Sequence, residues 1–244
     1  MSISFKQKII VFLSVVLAVL LFFAPKIPSE AKKNISEGAD FAESFETVLK
    51  GVPAKDPTKA LLENLRKEFL KAQADNKEQS WFSFANDFFN NASQIQDSLK
   101  AILYKGAIFG FQKVLELNPA NLDAKAKLGA SFVESSSLLG NPPMKGITLL
   151  REVVAQDSTN IEANFQLGLF SVSSQQFDKA IERFNRILRT DSTQIDMYAY
   201  LGDTYMQMGD KSKAIESLEN YKNRVKDTLQ KRNIDNYIKK IKIN

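Results

Sequence analysis

The 244-residue chain contains no cysteine and no histidine. Disulfides, thiolate nucleophiles, metal sites built on thiolate or imidazole ligands, and catalysis by a histidine base are therefore excluded. Proline and glycine are scarce, at seven and ten residues, which favours helices over a turn-rich β architecture. The sequence also lacks a Walker loop and the G-x-G-x-x-G and G-x-S-x-G motifs. We therefore expect a protein that is not an enzyme and that uses no cofactor, metal or small-molecule substrate.

Long apolar runs are also rare, and the clearest one lies near the N-terminus. It extends from Ile9 to Ala24, follows Lys6 and Lys8, and ends before Pro25. Its length lies between that of a signal-peptide core and a bilayer span of about 20 residues. We favour an uncleaved signal anchor or transmembrane helix, because the flanking lysines can extend to the lipid headgroups. The segments are a tail at 1–8, the anchor at 9–25 and a linker at 26–37.

The alternative is a signal peptide that is cleaved after Ala31, since Ser29 and Ala31 provide the two small residues that such a site needs. The protein would then be a soluble periplasmic binding module. With the anchor retained, a short N-terminal tail and a long following domain favour a single-pass protein of the bacterial inner membrane. We expect its body to lie in the periplasm.

Positive charge is concentrated at the other end of the chain. Residues 222–242 contain eight Lys or Arg and two Asp, a local charge of +6, although the whole chain carries only +5. The body is therefore almost neutral, which is not the charge distribution of a nucleic-acid-binding protein. Within this segment, Ile234, Tyr237, Ile238 and Ile241 form the apolar stripe of a helix at 229–244. Such a helix would cap a stacked array, with its lysines either solvated or in contact with anionic lipid or an acidic partner.

The second half of the chain repeats itself. Leu167-Gly168 and Leu201-Gly202 are 34 residues apart, as are the small residues Ala180 and Ala214. Two earlier spacings, Leu128 to Leu167 and Ala107 to Gly146, are both 39, which places one five-residue insertion between Gly129 and Gly146. A single insertion explains both offsets, so the register of the repeats is well determined.

Each repeat has the pattern of a helical hairpin. In residues 161–194, Ala163, Leu167 and Phe170 form the stripe of a first helix. Gly168 and Ala180 allow a second helix to approach closely, with Phe184 beside them. We expect Asp191 and Ser192 to end the second helix and to provide the N-cap of the next one. In the following repeat, Gly209 suits a C-cap with positive φ.

These residues resemble the tetratricopeptide repeat, whose consensus places an aromatic at position 4, Leu-Gly at 7–8, Tyr at 11, Ala at 20, Phe at 24 and Pro at 32. Tyr198, Leu201, Gly202, Tyr205 and Ala214 match this pattern in the last repeat. The resemblance covers about residues 78–228 and implies an all-α, right-handed α-solenoid of helical hairpins. The implied segments are N-terminal helices at 38–77, a divergent first repeat at 78–121, a repeat with an insertion at 122–160, and repeats at 161–194 and 195–228.

The resemblance further implies a partner-binding groove that is lined by the first helix of each repeat. The positions that correspond to this lining are Glu134, Phe165, Leu169, Val172, Asp203, Met206 and Gln207. They are apolar in the middle and acidic at the edges, which suits an amphipathic helix or extended peptide with basic flanks. Some of them, Phe165 above all, could instead pack against the neighbouring repeat.

One aromatic cluster allows two interpretations. Trp81, Phe82, Phe84, Phe88 and Phe89 form either the core of a divergent repeat or a peptide-binding platform, and the core is favoured. The function that the sequence favours is a membrane-anchored scaffold on the envelope side that assembles a protein complex. We expect its partners to be proteins or peptides and the membrane, and not nucleic acid.

Overall fold

The computed structural model describes residues 41–94, 99–140 and 142–243, which contain twelve helices and no strand. The helices are α1 (Phe41–Gly51), α2 (Pro57–Asp75), α3 (Glu78–Gln94), α4 (Lys100–Leu117), α5 (Leu122–Glu134), α6 (Ser136–Leu139), α7 (Pro143–Gln156), α8 (Ile161–Ser173), α9 (Phe177–Thr190), α10 (Asp196–Met208), α11 (Lys211–Arg224) and α12 (Thr228–Ile243). The predicted tail at 1–8, anchor at 9–25 and linker at 26–37 lie outside the described residues. Of the helices that are described, none has both the length and the apolar composition that a membrane span requires.

The described residues form two compact units. The N-terminal unit ends at Leu149 and the C-terminal unit begins at Leu150, so the division falls within α7. All twelve elements are helices, as the scarcity of proline and glycine predicts.

Aromatic side chains fill the core of the N-terminal unit. The side chain of Trp81 is only 4% exposed, and its Nε1 donates a hydrogen bond to Asn76 Oδ1 at 3.0 Å. The rings of Trp81 and Phe84 meet edge to face, with 5.7 Å between their centroids. Other buried rings of this core are Phe41, Phe45, Phe69, Phe88, Phe89, Tyr104 and Phe111. The cluster at 81–89 is therefore packed core, with Phe82 half-buried beside it, and is not an exposed platform for peptides.

Two local features of this unit follow directly from the sequence. Asp56 caps α2 by accepting a hydrogen bond from the amide of Thr58 at 2.8 Å, and Pro57 is the first residue of the helix. On α4, a Cβ on Gly106 would lie 2.2 Å from Phe88 Cδ1, and one on Gly110 would lie 2.6 Å from Phe84 Cδ1. These glycines therefore permit close packing of α4 against α3.

In the C-terminal unit, glycine lies wherever a first helix meets a large side chain of the second. A Cβ on Gly168 of α8 would lie 2.6 Å from Phe184 Cε1 of α9. A Cβ on Gly202 of α10 would similarly lie 2.9 Å from Leu218 Cγ of α11. Gly209 ends α10 with a φ of 89°, in the left-handed region that glycine adopts without steric cost. The predicted register of the two hairpins is confirmed.

One predicted cap is wrong. Neither Asp191 nor Ser192 caps α10, since the residue before that helix is Ile195 and no side chain caps it. Asp191 instead follows α9 directly, five residues before α10 begins at Asp196, and its carboxylate is used within the loop. It accepts hydrogen bonds from the side chain of Gln194 and from the hydroxyl and amide of Thr193, and these bonds hold its pKa below the usual range.

The amphipathic helix predicted at the C-terminus is α12. Its residues Ile234, Ile238 and Ile241 are buried in a cluster with Leu218 and Tyr221 of α11. Tyr237 is half-buried beside them. α12 therefore covers the apolar face of the last hairpin, as expected for the end of a repeat array.

Candidate protein-binding face

Three predicted groove residues form one stripe along α8. Phe165, Leu169 and Val172 follow one another at the spacing of one face of a helix, and each is half-buried. They pack at the edge of a cluster whose centre includes Ala180, Phe184 and Leu201. Part of each side chain is thus used within the fold, and part remains in contact with solvent.

Phe165 also contacts the next repeat. Its ring meets that of Tyr200 on α10 edge to face, with 5.1 Å between centroids and 73° between ring planes. Tyr200 in turn lies against Phe184, with 5.6 Å between centroids. The sequence allows Phe165 either to line the groove or to pack against the neighbouring repeat. In the structure its ring packs against the neighbouring repeat and is also partly exposed.

The remaining predicted positions of the C-terminal unit lie on α10. Asp203 is half-buried and accepts a hydrogen bond from Gln207 Nε2 at 2.7 Å. Met206 is half-buried and packs against the cluster that contains Leu218 and Tyr221. We call Phe165, Leu169, Val172, Asp203 and Met206 the α8–α10 face. It combines an apolar stripe with one accessible carboxylate, and this combination suits a partner with apolar and basic groups.

Glu134 belongs to the N-terminal unit and is described separately. Its Oε2 accepts a hydrogen bond from the hydroxyl of Tyr104 at 2.6 Å, and Tyr104 is almost completely buried. Burial, followed by the hydrogen bond to Glu134, raises the pKa of Tyr104 well above its usual value. One oxygen of Glu134 is therefore used to hold α4 against α5, a role that the sequence analysis did not predict.

A polar network supports the α8 side of the face. Asn164 is fully buried, and its Nδ2 donates to the carbonyls of Ser158 and Asn160, at 2.9 and 2.8 Å. Its Oδ1 accepts a hydrogen bond from Arg183 of α9 at 3.3 Å. Burial lowers the pKa of the Arg183 guanidinium. Sequence reasoning missed this network; the signal that could have revealed it is a polar residue, Asn164, directly beside Ala163 of the predicted apolar stripe.

A second network connects the last three helices. The hydroxyl of Tyr221 on α11 donates to Asp196 Oδ1 of α10 at 2.9 Å and accepts from Gln230 Nε2 of α12 at 2.7 Å. Burial, and then the hydrogen bond to Asp196, raises the pKa of Tyr221 to about 12. Because Asp196 is bonded to Tyr221, Asp203 is the better candidate for contact with a basic partner.

Acidic side chains do not form a metal site in the part of the chain that the structure describes. There, no three Asp or Glu residues come close enough together to hold an ion. The α8–α10 face contains no lysine or arginine of its own.

Comparison with known proteins identifies the repeat. A tetratricopeptide repeat family model matches residues 195–221, which span α10 and most of α11. No curated protein sequence matches the chain.

Several solved structures share the fold. The crystal structure of MamA is 17% identical and covers 75% of this chain and 90% of its own, with a TM-score of 0.50. MamA from Desulfovibrio magneticus RS-1, residue 41 to its end, is 20% identical and covers 82% and 97%, with a TM-score of 0.50. YrrB, a TPR protein with an unusual peptide-binding site, is 18% identical and covers 87% and 100%, also with a TM-score of 0.50. At these identities the likeness concerns the fold alone.

Proposed function

Because the chain is a tetratricopeptide-repeat protein, we propose that it is a non-enzymatic interaction scaffold whose α8–α10 face binds a protein or peptide. The observation that carries this proposal is the half-buried stripe of Phe165, Leu169 and Val172 beside Asp203. Partly exposed apolar groups on a rigid helical face can be buried by a partner without refolding of the hairpin, which lowers the cost of binding.

The partner that fits this surface is an amphipathic helix or an extended segment with apolar anchors and basic flanks. Its apolar side chains would cover Phe165, Leu169 and Val172, and its lysine or arginine residues would lie near Asp203. A charge at the rim contributes mainly to the rate and specificity of association, whereas the buried anchors contribute most of the affinity.

We also propose that residues 9–25 anchor the protein in the bacterial inner membrane and that the repeats lie in the periplasm. The apolar run and the lysines that flank it support this location. Ser29 and Ala31 support the second candidate, a cleaved and soluble periplasmic module with the same binding face.

Site-specific crosslinking tests the binding face. A photoreactive amino acid at Gln207, which is exposed at the edge of the face, should crosslink the partner in cells, and the partner can then be purified.

Binding measurements with the purified partner test individual residues of the face. Phe165→Ala and Leu169→Ala should each weaken binding of the partner about tenfold or more. Leu188→Ala is the matched control, since Leu188 is half-buried in the same cluster but lies on α9. Equal binding by all three variants would show that another surface is used.

Mass spectrometry of the mature protein tests the anchor. The proposal expects an N-terminus that precedes residue 9 and retention in membranes after alkaline extraction. A mature chain that begins at Lys32 would establish the cleaved module. Protease added to spheroplasts should digest the repeats, and their full protection would place them on the cytoplasmic side.

A further inference from the structure

α12 has a second face, opposite its buried isoleucines. The side chains on this outward face recur at the spacing of one side of a helix, and all of them are exposed. Apolar residues lie at its two ends, with Leu229 51% exposed and Ile243 83% exposed. The residues of the outward face of α12 are Leu229, Arg232, Asn236, Lys239, Lys240 and Ile243.

No carboxylate lies on this outward face. The single acidic residue of α12 is Asp235, whose Oδ1 accepts a hydrogen bond from Lys222 Nζ of α11 at 2.8 Å. Arg232, Lys239 and Lys240 have no ion-pair partner among the described residues. Their charges are therefore uncompensated within the fold and available to an anionic surface.

Packing and hydrogen bonds attach α12 to the rest of the C-terminal unit and fix which of its sides points outward. Ile234, Ile238 and Ile241 attach α12 to α11, and the carboxylate of Asp227 accepts a hydrogen bond from the amide of Gln230 at 2.6 Å. Gln230 also bonds to Tyr221. The apolar side of α12 is buried against α11. A membrane or a partner molecule can therefore contact α12 only through its outward face.

We propose that the outward face of α12 docks on an anionic lipid surface. Arg232, Lys239 and Lys240 would contact the headgroups, each contributing on the order of 1 kcal/mol. Leu229 and Ile243, fourteen residues apart and therefore about 21 Å apart along the helix, would enter the boundary between headgroups and acyl chains. An acidic protein or a nucleic acid would satisfy the charges but would leave these two exposed apolar ends without a role. The inference goes beyond the scaffold function and does not depend on the α8–α10 face.

A fluorescent label on the full-length protein tests this docking. The chain has no cysteine, so Asn236→Cys provides a unique attachment point at the middle of the outward face. The labelled protein is reconstituted into vesicles of phosphatidylcholine, with or without added phosphatidylglycerol, that carry a headgroup quencher. We expect strong quenching only when phosphatidylglycerol is present. The control is a label at Lys179→Cys on α9. Quenching of this label measures how close a site outside α12 comes to the vesicle surface when the protein is only anchored in the membrane.

Two paired variants and one control pair test which groups of α12 are responsible for docking. Lys239→Glu combined with Lys240→Glu should reduce the docking constant, measured from the quenched fraction, at least about tenfold. Lys179→Glu combined with Lys211→Glu has the same change in charge and should leave docking unchanged. Leu229→Ser combined with Ile243→Ser should weaken docking to vesicles but not binding to soluble polyglutamate. Circular dichroism confirms that each variant remains folded.

The proposal is overturned if quenching does not require phosphatidylglycerol, or if both charge-reversal pairs behave alike. It is also overturned if the serine pair leaves vesicle docking unchanged, because the face would then bind polyanions in general. The proposed membrane anchor at residues 9–25 is tested separately, by whether the protein remains with vesicles that contain phosphatidylcholine alone. If the protein does not remain with phosphatidylcholine vesicles, residues 9–25 are not an anchor, and docking of α12 is still measured by adding anionic vesicles.

Discussion

The ring of Phe165 on α8 meets the ring of Tyr200 on α10 edge to face, with 5.1 Å between their centroids. This contact joins the first helices of two successive repeats. It places Phe165 partly in the interface between repeats and partly on the surface proposed for partner binding.

A double-mutant cycle measures this contact. Phe165→Leu and Tyr200→Leu should each destabilise the protein, and the double variant should lose less than the sum of the two. An edge-to-face pair should give a coupling of about 0.5–1.5 kcal/mol in the free energy of unfolding. Strictly additive losses would show that the two rings do not interact in solution.

Gly168→Ala should destabilise the protein by about 1–3 kcal/mol, because the added Cβ would lie 2.6 Å from the buried ring of Phe184. The measurement is the free energy of unfolding in urea. The same substitution should cost less in a Phe184→Leu background, where the ring is absent. An equal cost in both backgrounds would indicate that Phe184 is not the obstacle.

Tyr221→Phe removes the hydroxyl that connects Asp196 on α10 to Gln230 on α12. We expect a loss of about 1–3 kcal/mol, because the hydrogen bond to a carboxylate is lost in a largely buried position. Thermal unfolding should therefore begin at a lower temperature, although the helical content at room temperature should be retained.

Tyr221 also predicts a pH dependence. Its pKa is raised to about 12 in the folded protein from an ordinary value of 10.0. The unfolded chain therefore loses this proton first, and the stability that the protonated hydroxyl provides is lost as pH rises from about 10 to 12. Unfolding in urea across this range should show a steeper loss of stability for the parent than for Tyr221→Phe. Parallel curves would contradict the raised pKa.

Asp203→Lys should weaken binding of a purified partner and make the remaining binding less sensitive to salt, because an attractive rim charge is reversed. The association rate should change more than the dissociation rate. Glu216→Lys is the control, since Glu216 is exposed on α11, away from the α8–α10 face. Similar effects of the two substitutions would point to the overall charge of the protein and not to this site.

The sequence predicted much of the C-terminal unit because its information is local and periodic. Gly168 with Phe184, and Gly202 with Leu218, recur at a fixed spacing, and each pair needs only the geometry of one hairpin to meet. The apolar stripe of α12 was predictable for the same reason, since about two turns of helix place Ile234, Ile238 and Ile241 on one side.

The sequence was less informative wherever a side chain has two possible neighbours. Periodicity places Phe165 on one face of α8, but it does not state how much of that face the next repeat covers. Asp191 was predicted to cap α10, although the loop between α9 and α10 is long enough for its carboxylate to bond within the loop instead.

By itself, then, the sequence determined the helical class, the 34-residue register and the absence of cysteine and histidine chemistry. The tertiary structure decided which apolar and charged groups are used internally. It buries Trp81 in the core, bonds Glu134 to Tyr104, and leaves the α8–α10 face half-covered. The physical reason is that helix geometry fixes the direction of a side chain from its neighbours in sequence, whereas its burial and bonding depend on residues tens of positions away.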